Sequence, residues 1–356
     1  MIQRVRLSRP ARYLCNIVLL SLLILYAVKV YNDLFPGYII DDRYVNGIDS
    51  KENAAVVKID TMCSETTKEL CFSVVDLIQE NEEVKRAIYL HGFEQEFDTV
   101  VALIPPKGMS ASNSDTRMWQ VNHNKIMTQY VSGLVLAPFM VGALNPDQSK
   151  SLEDKVNQSM CIVGLGGGAV DSFIHAKFPS INITVLEVEP VVKVLANRWF
   201  GVSEDKTRRT IIRDGIEVIK DAKRKGESYN VVMVDACNSD DAMPCPSPRF
   251  IEQQNLELIK SVLKPMGAFV LNTLAMKDEI TNIQMVQQRL LTVFPLCISI
   301  SAEEEFNTIF ACLPYSIQPQ NRLATQKLWF EQRRKIQKEF KLDMIQQAPI
   351  TIIERQ

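Results

Sequence analysis

Residues 160–200, MCIVGLGGGAVDSFIHAKFPSINITVLEVEPVVKVLANRWF, decide how this chain folds. Cys161, Ile162 and Val163 form a short apolar run with β-branched members, and glycines follow at 164, 166, 167 and 168. The run therefore reads as a buried strand that ends in a tight turn. Gly164, Gly166 and Gly168 make a G-x-G-x-G pattern, where missing β-carbons permit positive φ and let the backbone lie against a bound molecule. Residues 169–177 read as a helix whose N-terminal amides face that space. A second apolar strand, 181–186, ends in Glu187 and Glu189, about 20 residues on, where nucleotide-binding α/β folds place the acid that holds ribose hydroxyls.

Glycine clusters after strands also serve as plain turns, and Ala169 in the third fingerprint position is tolerated by dinucleotide sites. The glycines alone leave a dinucleotide and S-adenosylmethionine both open. The chain beyond narrows the choice. Residues 210–212 run into Arg213-Asp214-Gly215, and the strand YNVVMV at 229–234 ends at Asp235. Three successive strands ending in an acid would put Glu187, Asp214 and Asp235 along the carboxyl edge of one parallel sheet, where open α/β folds bind ligands.

The order GLGGG, LEVEP, RDG, VMVDA resembles the class I S-adenosylmethionine-dependent methyltransferases, and within them the spermidine-synthase-like branch. The resemblance implies an α/β, Rossmann-like sheet with a terminal antiparallel hairpin and a small β-rich region ahead of it. It implies that the turn at Gly164, Gly166 and Gly168 cradles S-adenosylmethionine, that Glu187 holds its ribose, and that Asp214, followed by Gly215, holds the adenine amino group. Asp235 then lies beside the methionine part and the substrate, as the catalytic candidate. Residues 243–279, the Trp199-Phe200-Gly201 end of a helix and VFPL at 293–296 are further similar to the C-terminal domain of the methyltransferase-like 13 family, two-domain methyltransferases of translation elongation factor 1-alpha. That likeness implies methylation of a protein amine, with elongation factor 1-alpha as the candidate partner.

Two departures qualify it. Polyamine synthases need a second carboxylate in V-D-S-S-D, whereas this chain reads Val234-Asp235-Ala236-Cys237-Asn238, and an amide cannot act as the base. An E-H-H-K stretch of the protein methyltransferases is replaced by VNHNKIM at 121–127. The alternative reading is a domain that keeps the pocket without turnover.

The rest of the chain sets boundaries: a tail and anchor at 1–31, a linker at 32–50, a small β-rich region at 51–110, the methyltransferase-like domain at 111–320, and a helix and tail at 321–356. Arg4, Arg6, Arg9 and Arg12 precede sixteen uncharged residues, 13–28, and Lys29 can snorkel so that the apolar span reaches Tyr31. This reads as an uncleaved single-pass anchor, and the positive-inside rule puts the N-terminus in the cytosol and the body in a lumen. The sequons at Asn157 and Asn182 and a disulfide between Cys63 and Cys71 would suit a lumen. No cysteine spacing points to a metal. Net charge is −2 with basic residues balanced throughout, which disfavours nucleic acid. Strands are expected within 54–103, a helix over 123–137 stopped by Pro138 with His123 near its start, and a hairpin from LCISIS and NTIFACL.

Overall fold

The computed structural model describes residues 55–67, 69–93, 97–148, 158–238 and 242–355. The first quarter of this span is an antiparallel meander of five strands: β1 (Ala55–Cys63), β2 (Cys71–Ile78), β3 (Val84–Leu90), β4 (Thr99–Ile104) and β5 (Gln120–Ile126). Asp76 and Arg86 face each other in register on β2 and β3, and both are buried. Arg86 donates through Nε and Nη2 to the Asp76 carboxylate at 2.7 and 2.9 Å, and its remaining donors reach the carbonyls of Trp199 and Thr116. A buried charge is tolerable only when paired and fully hydrogen-bonded, and here the bond to the Trp199 carbonyl also fastens the small sheet to the following domain.

That domain is an eight-stranded sheet of order β13-β11-β12-β10-β9-β6-β7-β8. Its strands are β6 (Ser159–Val163), β7 (Asn182–Glu187), β8 (Arg208–Ile212), β9 (Tyr229–Val234), β10 (Leu263–Leu274), β11 (Leu296–Ala302), β12 (Asn307–Leu313) and β13 (Ile350–Glu354). β8, β7, β6, β9 and β10 are parallel, and β12, β11 and β13 add on antiparallel. The central strands are buried on both faces, which is why they read as unbroken apolar runs.

Helices cover both faces and divide the core in two. On one side α1 (Gln129–Met140), α2 (Ala169–Lys177), α3 (Pro190–Trp199) and α7 (Arg322–Phe340) enclose Phe139, Phe173, Phe178 and Phe340. On the other, α4 (Gly215–Lys225), α5 (Gln253–Ser261) and α6 (Glu279–Val293) pack Ile219, Ile259 and Leu290 against Val232 and Phe269.

Two expectations are corrected. His123 lies in β5, not in a helix, because residues 120–126 pair with β4 through Val101–Ile126 and Leu103–Val121, and sheet pairing overrides the helical spacing read there. The helix starts instead at Gln129 and runs through Pro138, which sits in its last turn and does not stop it. Eleven of its twelve residues are buried, Tyr130 being the exception, so the helix is enclosed all round rather than amphipathic. The tail also contributes β13, an edge strand paired with β11 that the sequence reading left unassigned.

No helix among the described residues is long and apolar enough to cross a membrane. The expected anchor at 13–31, the linker up to 50 and the sequon residue Asn157 lie outside those residues.

Candidate active site

The turn after β6 is built as its glycines require. Gly164, Gly166 and Gly168 all have positive φ. Their close neighbours, however, are protein: a β-carbon at Gly164 would lie 2.0 Å from the Asp235 carbonyl oxygen, and one at Gly166 would lie 2.6 Å from Thr99 Oγ1. The Thr99 hydroxyl also accepts from the Gly167 amide at 2.9 Å, so the small sheet seals one side of the turn. Behind the turn, Arg208 donates through Nε to Asp171 at 2.7 Å, a buried pair that fixes the start of α2.

Glu187 ends β7 and is buried, with Oε2 accepting from the Leu165 amide at 3.0 Å and Oε1 from the Glu189 amide at 2.8 Å. Burial pushes its carboxyl above the usual range while these amides pull it back. Two bonds leave lone pairs on both oxygens for further donors. Val188, next along the edge, is 70% exposed, an apolar side chain with no cover.

Asp214 caps α4 by accepting from the Glu217 amide at 3.1 Å, and it pairs with Arg249. Partial burial opposes ionisation, but the Glu217 amide and the Arg249 guanidinium outweigh it and hold the carboxyl below its ordinary value. Gly215 opens that helix against Val163, where a β-carbon would lie 2.8 Å from Cγ1.

Asp235 follows β9 and is half-buried as a residue, with its carboxyl turned inward. Desolvation raises its pKa to about 6, and a hydrogen bond from Asn272 offsets part of the shift. Asn272 Nδ2 donates to Asp235 Oδ1 at 2.8 Å, and Asn272 Oδ1 in turn accepts from Asn307 Nδ2 at 2.9 Å. The sense of this relay is fixed at its end, because an ionised carboxylate only accepts. Both asparagines are buried, on neighbouring strands β10 and β12.

The roof comes from α1 and the β11–β12 turn. Glu305 accepts from the Gln129 and Tyr130 amides, each at 2.8 Å, a carboxylate on a helix N-terminus. The Tyr130 hydroxyl donates to the Asp98 carbonyl at 2.8 Å, and burial with the nearby Asp235, Asp98 and Glu305 carboxylates pushes its pKa well up. The structure thus brings Gly164, Gly166, Gly168, Glu187, Asp214, Gly215 and Asp235 to the carboxyl ends of β6, β7, β8 and β9. Thr99, Tyr130, Val188, Asn272, Asn307 and Glu305 were missed. For Asn272 a signal existed: an amide embedded in the apolar run AFVLN, where a polar group needs a partner. His123 packs against Gly201, and burial lowers its pKa. No cluster of metal-ligating side chains occurs among the described residues.

A probable spermidine synthase of Corynebacterium glutamicum shares the architecture, with a TM-score of 0.56 over 83% of this chain and 90% of that one at 12% identity. The fold is spermidine-synthase-like. In sequence, the chain resembles the human eEF1A lysine and N-terminal methyltransferase, at 34% identity over 198 residues, 53% of this chain. The match spans 27% of that relative's length. The crystal structure of human methyltransferase-like protein 13 in complex with SAH is 30% identical over 57% of this chain and 91% of its own, with a TM-score of 0.48. No family model matches the chain.

Proposed function

We propose that this spermidine-synthase-like domain is an S-adenosylmethionine-dependent methyltransferase acting on a protein amine. The observation that carries the reading is the convergence of the glycine turn, Glu187, Asp214 and Asp235 on one sheet edge. The residues suit the cofactor: Glu187 keeps free lone pairs for ribose hydroxyls, Val188 offers an apolar face for an adenine ring, and Asp214 supplies an acceptor for its amino group. The sulfonium cofactor supplies an electrophilic methyl group and a neutral thioether leaving group.

This chain's residues then have two tasks. Asp235, raised to about 6, is ionised at neutral pH yet basic enough to take a proton from an acceptor ammonium, freeing the lone pair that attacks. Tyr130 lies within electrostatic reach of Asp235 and Glu305, and such a group of oxygens would suit a cationic amine; displacement is otherwise a matter of positioning. Polyamine synthesis is the weaker reading, since Asn238 stands where the second carboxylate is needed and an amide side chain cannot act as the base. A pocket without turnover is the other alternative.

Residues 13–31 are proposed as a single-pass membrane anchor, on the strength of the uncharged run and the arginines before it. The catalytic test uses labelled S-adenosylmethionine with peptides bearing a free N-terminal amine or lysine. Label on the amine, lost with Asp235→Asn, is expected. Saturable cofactor binding with no transfer to any protein amine would leave the non-catalytic reading standing.

A further inference from the structure

Six of the seven cysteines among the described residues are bonded in pairs: Cys63–Cys71, Cys237–Cys245 and Cys297–Cys312. The seventh, Cys161, is buried in β6, where desolvation pushes its thiol up to about 12. The pairs are built into the fold. Cys63 and Cys71 are register partners where β1 meets β2, and Cys297 and Cys312 are register partners inside the β11–β12 hairpin. Cys237–Cys245 closes the loop directly after Asp235, which is also tied back by Ser247 to the Ala236 carbonyl and by Leu274 to the Cys245 carbonyl. Reducing compartments keep thiols reduced, so a chain with one such pair could be coincidence, but three pairs that take up every described cysteine but one mark an oxidising environment.

We infer that the folded body matures in an oxidising lumen or outside the cell, and that its acceptor is a protein of that compartment rather than a cytosolic one. The acceptor half of this statement rests on the methyltransferase reading; the compartment half does not. Two independent features agree with it. The four arginines before residue 13, against Lys29 and Arg43 after the apolar run, orient the proposed anchor with the body away from the cytosol. The sequon Asn182-Ile-Thr starts β7 at the sheet edge opposite Glu187, and Asn182 is exposed on an open groove of about 320 Å³ beside Ser159 and Lys264, so a glycan there would leave the active edge clear. S-adenosylmethionine, made in the cytosol, then has to be carried to the body.

The test counts thiols on the full chain expressed in cells, trapped with a maleimide under denaturing conditions before and after reduction. Two reactive thiols before reduction, Cys15 and Cys161, and eight after are expected. Four or fewer before reduction sustains the inference, and more than four overturns it. Protease added to intact microsomes should leave the body uncut, whereas digestion without detergent overturns the compartment. Neither readout depends on methyl transfer, so failure here is separable from failure of the proposed activity. Purified elongation factor 1-alpha offered with labelled cofactor is expected to stay unlabelled, and stoichiometric label on it would overturn the acceptor class.

Discussion

Replacing Asp235 by asparagine should make the protein more stable at neutral pH while removing its activity. In the folded chain the Asp235 carboxyl titrates at about 6 against an ordinary 3.8. The folded state therefore binds this proton more tightly than the unfolded one. The contribution to stability is fully present below pH 3.8 and is lost as pH rises through 6. A shift of about two units corresponds to about 3 kcal/mol as an upper bound, which the intermediate burial of the residue as a whole brings down to about 1–2 kcal/mol. Asparagine keeps an oxygen for the Asn272 amide and carries no charge to desolvate. Urea denaturation of both proteins at pH 4, 5, 6 and 7.5 should show similar stabilities at pH 4 and a growing advantage for Asp235→Asn that levels off near pH 7. Methyl transfer should fall about 100-fold or more, the usual loss when a general base is removed. A variant less stable than the parent at pH 7.5, or a difference that does not change with pH, would refute the assignment of a buried, destabilising carboxylate.

Further outcomes follow from the same geometry. Asn272→Asp places a second carboxyl against Asp235, so the pair shares a proton and the acidic limb of kcat/KM should move to higher pH, read from a pH–rate profile. Glu305→Gln weakens the cap on α1, and denaturation should report a loss of about 1–2 kcal/mol. Thr99→Val leaves the Gly167 amide without its acceptor at a buried contact, costing about 1–3 kcal/mol in the same assay.

Much of this arrangement was legible in the chain itself. The strand runs at 229–234, LCISIS and NTIFACL appear as β9, β11 and β12, because largely buried strands leave apolar-rich, β-branched text with only a few polar positions. The acids Glu187, Asp214 and Asp235 fall where parallel strands end, a position set by local sequence. What was hidden depends on pairing between distant segments. β5 has polar text, QVNHNKI, and is a strand only because β4 is its neighbour. Asn272 and Asn307 lie 35 residues apart and become a relay only when β10 and β12 pair. Cys237–Cys245 and Cys297–Cys312 went unforeseen for a similar reason, since spacing alone does not say which cysteines meet. The glycine turn adds a second reason for its composition: the absent side chains of Gly164 and Gly166 also make room for Asp235 and Thr99, a contact between distant segments that the local pattern does not announce.

The central claim is that this sheet edge binds S-adenosylmethionine through Glu187, and calorimetric titration of the cofactor into the fragment starting near Asp49 and its Glu187→Ala variant tests it most directly. Saturable binding by the parent, weakened by about 1.5–3 kcal/mol in the variant through loss of a charge-assisted hydrogen bond, is the predicted result. Equal affinity of the two proteins, or no heat from the parent, would contradict it.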